Sequence, residues 1–444
     1  MRIQDVAFDA ADFAYRTPIK FGGTAVDRVT LLTATVTGEG ADGRVAVGTS
    51  SMPLGNVWAF PSGVLPYADT LAAMRAVAGR VAGIYRTCQQ TGHPVDVTHA
   101  LEPDITGTAA AVTHDLGLPE SVPVLAALVA ASPFDAALHD AFGKLHGVSV
   151  YRLYGPDMLP GDLARFLGPA FAGRHLSEFV TPDPRPALPL YHLVGALDPL
   201  TPADVTIPVN DGLPETLGEW ITRDGLTHLK IKLAGDDMGW DLARVRAVHA
   251  VAEAAGGVNA YSLDFNEKCR SVDYLLEVLH TLAASDPAAY ERIQYIEQPT
   301  ARDLGAHPEN RVHAAAKLKP VVIDESLTDL ASLELAVEMG YTGAAFKACK
   351  GQTQSLLLAA AAQARGLFCC VQDLTCPGAS LIHSAGLAAH LPTVAAIEAN
   401  ARQYVPAANA GWAERFPGLF TTTTGTLATG QLTGPGLGAS SNDE

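Results

Sequence analysis

A short apolar run ended by a charged or polar residue, repeated at near-regular intervals, constrains this chain more than any other feature. The runs occupy 228–233, 260–264, 293–297, 321–324 and 344–347, and end in Lys230-Ile231-Lys232-Leu233, Asp264, Glu297, Asp324 and Lys347. Most are rich in β-branched or aromatic residues and short enough to be buried strands. Runs at 367–372 and 394–398 continue the rhythm, and 188–194 supplies an eighth. Ala/Leu-rich segments of helical length, such as 241–255 and 332–339, lie between them. Alternating strands and helices predict a parallel sheet, and eight such strands predict a closed (β/α) barrel. Chemistry in such barrels sits at the carboxyl ends of the strands, so the charged tips converge on one mouth.

If 188–194 is the first barrel strand, Lys232 lies on the second, the three carboxylates on the third to fifth, and Lys347 on the sixth. Strands two and six of an eight-membered ring are opposed, so two lysines face each other across three carboxylates. Alternation along a strand puts Lys230 on the same face as Lys232. Three neighbouring carboxylates repel one another unless a hard divalent cation lies between them, and Mg²⁺ favours oxygen ligands while leaving room for substrate. Near such a cation the lysines can be partly neutral and act as bases. A carboxylate bound there has its α-proton acidified, because the enediolate that forms is stabilised by the same charge. Proton abstraction beside a carboxylate is the chemistry this set suits. Taken singly, a strand-end lysine is usually a snorkelling surface charge and a strand-end acid often caps the next helix; joint occurrence on five successive strands argues otherwise.

The Lys-x-Lys pair, Asp264-Phe265-Asn266, Ile296-Glu297-Gln298-Pro299, Ile323-Asp324-Glu325-Ser326 and Lys347 together resemble the enolase superfamily, and within it the muconate-lactonizing-enzyme-like subgroup of the mandelate racemase/muconate lactonizing enzyme family. Ser132-Pro133-Phe134-Asp135-Ala136-Ala137, with Gly143-Lys144 and Gly147, resembles the end of that family's capping domain, and Gly434-Pro435-Gly436-Leu437-Gly438 its closing tail. The resemblance implies that Asp264, Glu297 and Asp324 bind Mg²⁺, that Lys232 and Lys347 are the acid/base pair, that Lys230 helps neutralise the substrate carboxylate, and that Glu325 supports the metal ligands from behind. The mandelate-racemase subgroup instead pairs a histidine after strand seven with an aspartate on strand six; this chain has Gln372-Asp373 and Lys347 there. Asn266, Asp373 and Glu398 are further candidates for substrate contact, Asp373 serving either substrate or a loop backbone. Asn400 and Arg402 follow Glu398, with Arg402 open to a substrate carboxylate or to a structural ion pair. In this family loops of the cap close the mouth, and the matching segments 17–23 and 49–61 offer Lys20, Phe21, Asn56, Trp58 and Phe60, either as substrate wall or as interface packing. His383 and His390 read as packing residues.

The expected architecture is α/β: a (β/α)7β TIM-like barrel at 188–420, an N-terminal α+β capping domain at 1–150, a Pro/Gly/Phe-rich crossing at 151–187 and a tail at 421–444 returning to the cap. In the cap, 29–36 and 44–47 read as antiparallel strands, and helices are predicted at 68–87 and 133–145, the latter with Ser132 as N-cap and Pro133 in its first turn. At 444 residues the chain can bury a barrel core and a second domain. A formal net charge of −17 argues against nucleic acid and acidic membrane surfaces as partners. Apolar runs fall short of the ~18 residues a membrane span needs. The start of the chain lacks a signal-peptide pattern. The six cysteines show no Cys-x-x-Cys spacing, which suits reduced thiols in a cytoplasmic protein.

The expected activity is an Mg²⁺-dependent racemase or epimerase acting on a small-molecule carboxylate, Lys232 and Lys347 serving opposite faces. A dehydratase of a hydroxy or sugar acid, or a cycloisomerase, would use the same lysines. A metal-free binding scaffold is a third class, one with no need for this constellation. The resemblance also implies a homo-oligomer.

Overall fold

The computed structural model describes residues 1–21 and 24–439. Three antiparallel strands open the chain: β1 (Arg2–Phe21), β2 (Thr24–Glu39) and β3 (Val45–Pro53), ordered β1-β2-β3. β1 was not expected, because few of its residues are buried: Ile3, Val6 and Ile19 are, while most others are exposed or half-buried. Its order comes from a long ladder to β2, from Arg2 opposite Glu39 to Phe21 opposite Thr24. The segment expected as a loop at 17–23 is consequently the end of a hairpin as far as it is described.

Helices Tyr67–Thr87 and Val124–His146 pack against this sheet, and helix Pro94–Asp115 packs on both of them. The last begins nine residues earlier than expected, at Val124 rather than Pro133. Pro133 lacks the N–H that the Val129 carbonyl would accept. The Ser132 hydroxyl donates to that carbonyl instead (2.9 Å), so Ser132 repairs a mid-helix proline rather than capping a helix start. This helix is the one among the described residues long and apolar enough to cross a membrane, and 94% of its apolar window is buried inside the protein.

Eight parallel strands follow: β4 (Leu188–Val194), β5 (His228–Lys232), β6 (Ala260–Asp264), β7 (Ile293–Glu297), β8 (Val321–Ile323), β9 (Gly343–Phe346), β10 (Phe368–Val371) and β11 (Val394–Glu398). They pair in sequence order, and Ile397 of β11 pairs with Leu190 of β4 to close the ring. A two-residue strand, β12 (Thr426–Leu427), pairs antiparallel with β4, after which the chain returns to the cap. There the Val150 amide donates to the Gly436 carbonyl (2.8 Å). A side chain at Gly436 would strike the Asp140 carboxylate at 2.0 Å, and its φ of +73° also favours glycine. All six cysteines are free and buried.

Candidate active site

Register places the first three charged tips side by side. Lys232 stands opposite Asp264, and Asp264 opposite Glu297, while Asp324 and Lys347 directly follow β8 and β9. All five are nearly inaccessible, as is Lys230. Lys230 Nζ lies 2.8 Å from Glu297 Oε1, 2.9 Å from Glu398 Oε2, 3.1 Å from Asp264 Oδ2 and 3.0 Å from Gln372 Oε1. Lys232 Nζ donates to Asp264 Oδ2 (2.5 Å), and Lys347 Nζ is 2.9 Å from Asp324 Oδ2. The ammonium groups therefore compensate the carboxylates.

The electrostatics follow from burial and neighbours. Burial raises the pKa of Glu297, and the adjoining Asp264 and Asp324 charges raise it further, against Lys230. Burial opposes ionisation of Asp264, but Lys232 and Lys230 outweigh it and hold the group low. Burial likewise opposes Asp324, which Lys347 and Lys350 hold low. Burial disfavours the charged forms of Lys230 and Lys347, yet the carboxylates beside them keep both raised.

Among the described residues no three His, Cys, Asp or Glu side chains are gathered as a finished metal shell. The donor set nevertheless fits a hard cation: three buried carboxylates on adjacent strand ends, mutually repelling, with lysine ammoniums compensating their charge. The Asp324 Oδ2 atom is buried and accepts no well-directed hydrogen bond.

The other expected residues divide. Glu398 reaches the mouth, accepting from Lys230 and from Asn400 Nδ2 (3.1 Å). Glu325 is buried beside Asp324 and pushed up to about 7 by burial and by that charge. Its Oε1 accepts from Trp58 Nε1 (2.9 Å), and the Trp58 ring lies 4.4 Å below Lys347 Nζ, so this cap residue does meet the site. Asn266 donates its backbone N–H to Asp264 Oδ1 (2.8 Å) from a left-handed conformation with φ +45°. Asp373 resolves toward the loop backbone: Oδ1 accepts from the Cys376 amide and Oδ2 from the Asn400 amide, both 2.7 Å, while burial and Glu398 push it up to about 6. Arg402 is buried against Asp224 and His192, an ion pair rather than a substrate contact. Lys20 stands exposed on β1, and Phe21's side chain lies outside the described residues, as do Gly22 and Gly23. Asn56 packs within the cap, donating to Thr70 Oγ1 (2.9 Å), while Phe60 is buried where cap and barrel meet and lines a cavity with Asn266, Arg302 and Glu325. His383 bonds Gln352 (2.9 Å) and His390 stacks on Tyr151 at 3.7 Å, both packing residues.

Two groups were missed. Lys350 Nζ donates to the Asp324 carbonyl (2.5 Å) and lies 3.3 Å from its Oδ1. The signal was its place three residues after Lys347, one 3₁₀ turn along. Gln298 Oε1 accepts from the Asp324 and Ser326 amides (3.0 and 3.3 Å), bracing the β8 tip from β7.

Fold and mouth together define a capped (β/α)-barrel enzyme. Residues 213–444 match the enolase C-terminal domain-like family, and the chain belongs to it, within the mandelate racemase/muconate lactonizing enzyme group of the enolase superfamily. No curated protein sequence matches the chain. Similar solved structures include the L-Ala-D/L-Glu epimerase of Bacillus subtilis, 17% identical with a TM-score of 0.63, 98% of each chain being covered. The N-succinyl Arg/Lys racemase of Bacillus cereus is 15% identical with a TM-score of 0.63, covering 99% of this chain and 95% of its own. An enolase from Bradyrhizobium, complexed with magnesium and mandelic acid, is 19% identical with a TM-score of 0.62, covering 100% and 96%. At these identities the likeness is one of fold.

Proposed function

We propose that this enzyme removes the proton α to a substrate carboxylate and returns one to the same carbon, a racemisation or epimerisation. The observation that carries the reading is the placement of Lys232 and Lys347. β5 and β9 stand four places apart in a ring of eight, with Asp264, Glu297 and Asp324 on the strand ends between them. Those three carboxylates would hold Mg²⁺, which when bound acidifies the α-proton and stabilises the enediolate. With Lys232 neutral and Lys347 protonated, Lys232 takes the proton at Nζ from one face and Lys347 delivers one from Nζ to the other; the reverse reaction starts from the opposite protonation and exchanges the roles. Lys230 adds a fixed positive charge toward the substrate carboxylate. Trp58 covers Lys347 and excludes water from that side. Dehydration needs a further acid for the leaving hydroxyl, and Asp373 is committed to two backbone amides, which weighs against that alternative.

The test is incubation with Mg²⁺ in D₂O and pooled hydroxy acids, amino acids and N-acylated amino acids, followed by proton NMR. Deuterium enters the α-position of an otherwise unchanged acid, and neither Lys232→Ala nor Lys347→Ala interconverts the stereoisomers. A new alkene or keto-acid signal would replace this reading with a lyase.

A further inference from the structure

Away from the mouth, a cavity of about 340 Å³ lies in the seam between the cap helices and the helices that follow β8 and β9. Its walls are largely apolar, with Tyr85, Ile105 and Leu128 from the cap, Phe166 from the crossing, and Leu330 and Leu357 from the barrel side. The Lys350 side chain separates it from the mouth, turning its ammonium away to Asp324.

The polar groups of the wall indicate what fits. Asp135 is fully engaged: Thr98 Oγ1, Thr353 Oγ1 and the Thr353 amide each donate to it at 2.8 Å. Ser132 donates to the helix backbone, and His99 and Glu102 pair at 3.2 Å. These hydroxyl and ammonium donors are therefore committed within the protein. One buried acceptor of the wall lacks a partner: Gln354 donates through Nε2 to the Thr328 carbonyl, but its Oε1 accepts from nothing. A ligand anion would meet the carboxylates of Asp135, Glu102 and Asp329, and any ion would lose its hydration against apolar walls. An apolar body with one neutral N–H or O–H donor satisfies both conditions.

We propose that this seam is a second small-molecule site, separate from the active site, for an uncharged and largely apolar ring carrying one hydrogen-bond donor to Gln354 Oε1.

Indole is the probe, with indene as the carbon isostere lacking the N–H, and binding is read by ligand-observed NMR on the whole protein. Indole binds saturably and about fivefold tighter than indene, the scale of one hydrogen bond. Gln354→Met brings the two probes level, Ala131→Phe fills the cavity and abolishes binding, and Lys347→Ala leaves binding intact. Equal affinity of indole and indene for the unaltered protein overturns the proposal without reliance on any variant. Absence of saturable binding overturns it as well, and so does binding lost in Lys347→Ala, which would place the probe in the mouth. None of these outcomes depends on the racemase reading.

Discussion

The barrel interior has two layers built by the same strands, and they differ in nearly every physical respect. The floor is Tyr191, Tyr295, Val322, Ala345, Cys370 and Ala396, packed as a separate apolar cluster with Tyr191 and Tyr295 edge to face at 5.6 Å. Two residues further along five of those strands stand Glu297, Asp324, Lys347, Gln372 and Glu398. Strand alternation returns each to the inner face, so one pattern supplies both a core and a site. The floor is satisfied by packing. The mouth buries charges whose desolvation is compensated mainly by one another, with a few neutral donors and acceptors such as Gln372 and the Asn266 amide, which is costly for folding and useful for chemistry. Gln372 joins the layers, donating to Tyr295 OH (3.1 Å) below and to Glu297 above.

The strongest break in that comparison is functional. Lys232→Ala and Lys347→Ala should each lower α-proton transfer by about 10²–10⁴-fold, the usual contribution of a positioned acid or base, as measured by isotope exchange. Tyr295→Ala, in the floor, should instead lose about 3–5 kcal/mol of stability in denaturant unfolding, because a large buried ring is removed. Trp58→Phe keeps a ring under Lys347 but removes the donor to Glu325, and should cost about 1–3 kcal/mol, with the unfolding midpoint as readout.

A smaller effect concerns pH. Burial pushes His383 down to about 4, so the unfolded chain takes up this proton first as pH falls. Its contribution to stability is whole above the unfolded value near 6.5 and is lost as pH falls toward 4, at up to about 1.4 kcal/mol per pH unit. His383→Gln removes this loss, so the stability gap between the two proteins should narrow from pH 7 to pH 5. Unfolding midpoints at the two pH values measure it. The raised carboxylates Asp373 and Glu325 act in the opposite sense but are common to both proteins.

Legibility in the sequence tracked the same two layers. The barrel strands were readable because each is a short apolar run and most are ended by charge; β4, β6, β7 and β11 match the expected spans to the residue. The mouth lysines and carboxylates were readable because strand order fixes who faces whom. β1 was not, since pairing rather than burial orders it. The helix through Pro133 was misjudged because its repair is a single hydroxyl bond. The destinations of Trp58, Asp373 and Arg402 depend on partners far along the chain, as in the Trp58–Glu325 bond, and no local pattern announces them.

The central claim is that Asp264, Glu297 and Asp324 form a cation site rather than a structural charge network. The most direct measurement is the thermal midpoint of chelator-treated protein titrated with Mg²⁺, beside Asp324→Asn. Preferential binding to the folded state should raise the midpoint saturably, by about 2.7 kcal/mol of stability at a hundredfold excess over Kd, and the variant should lose most of the rise. A midpoint indifferent to Mg²⁺ in the unaltered protein, or a rise equal in the variant, would contradict it.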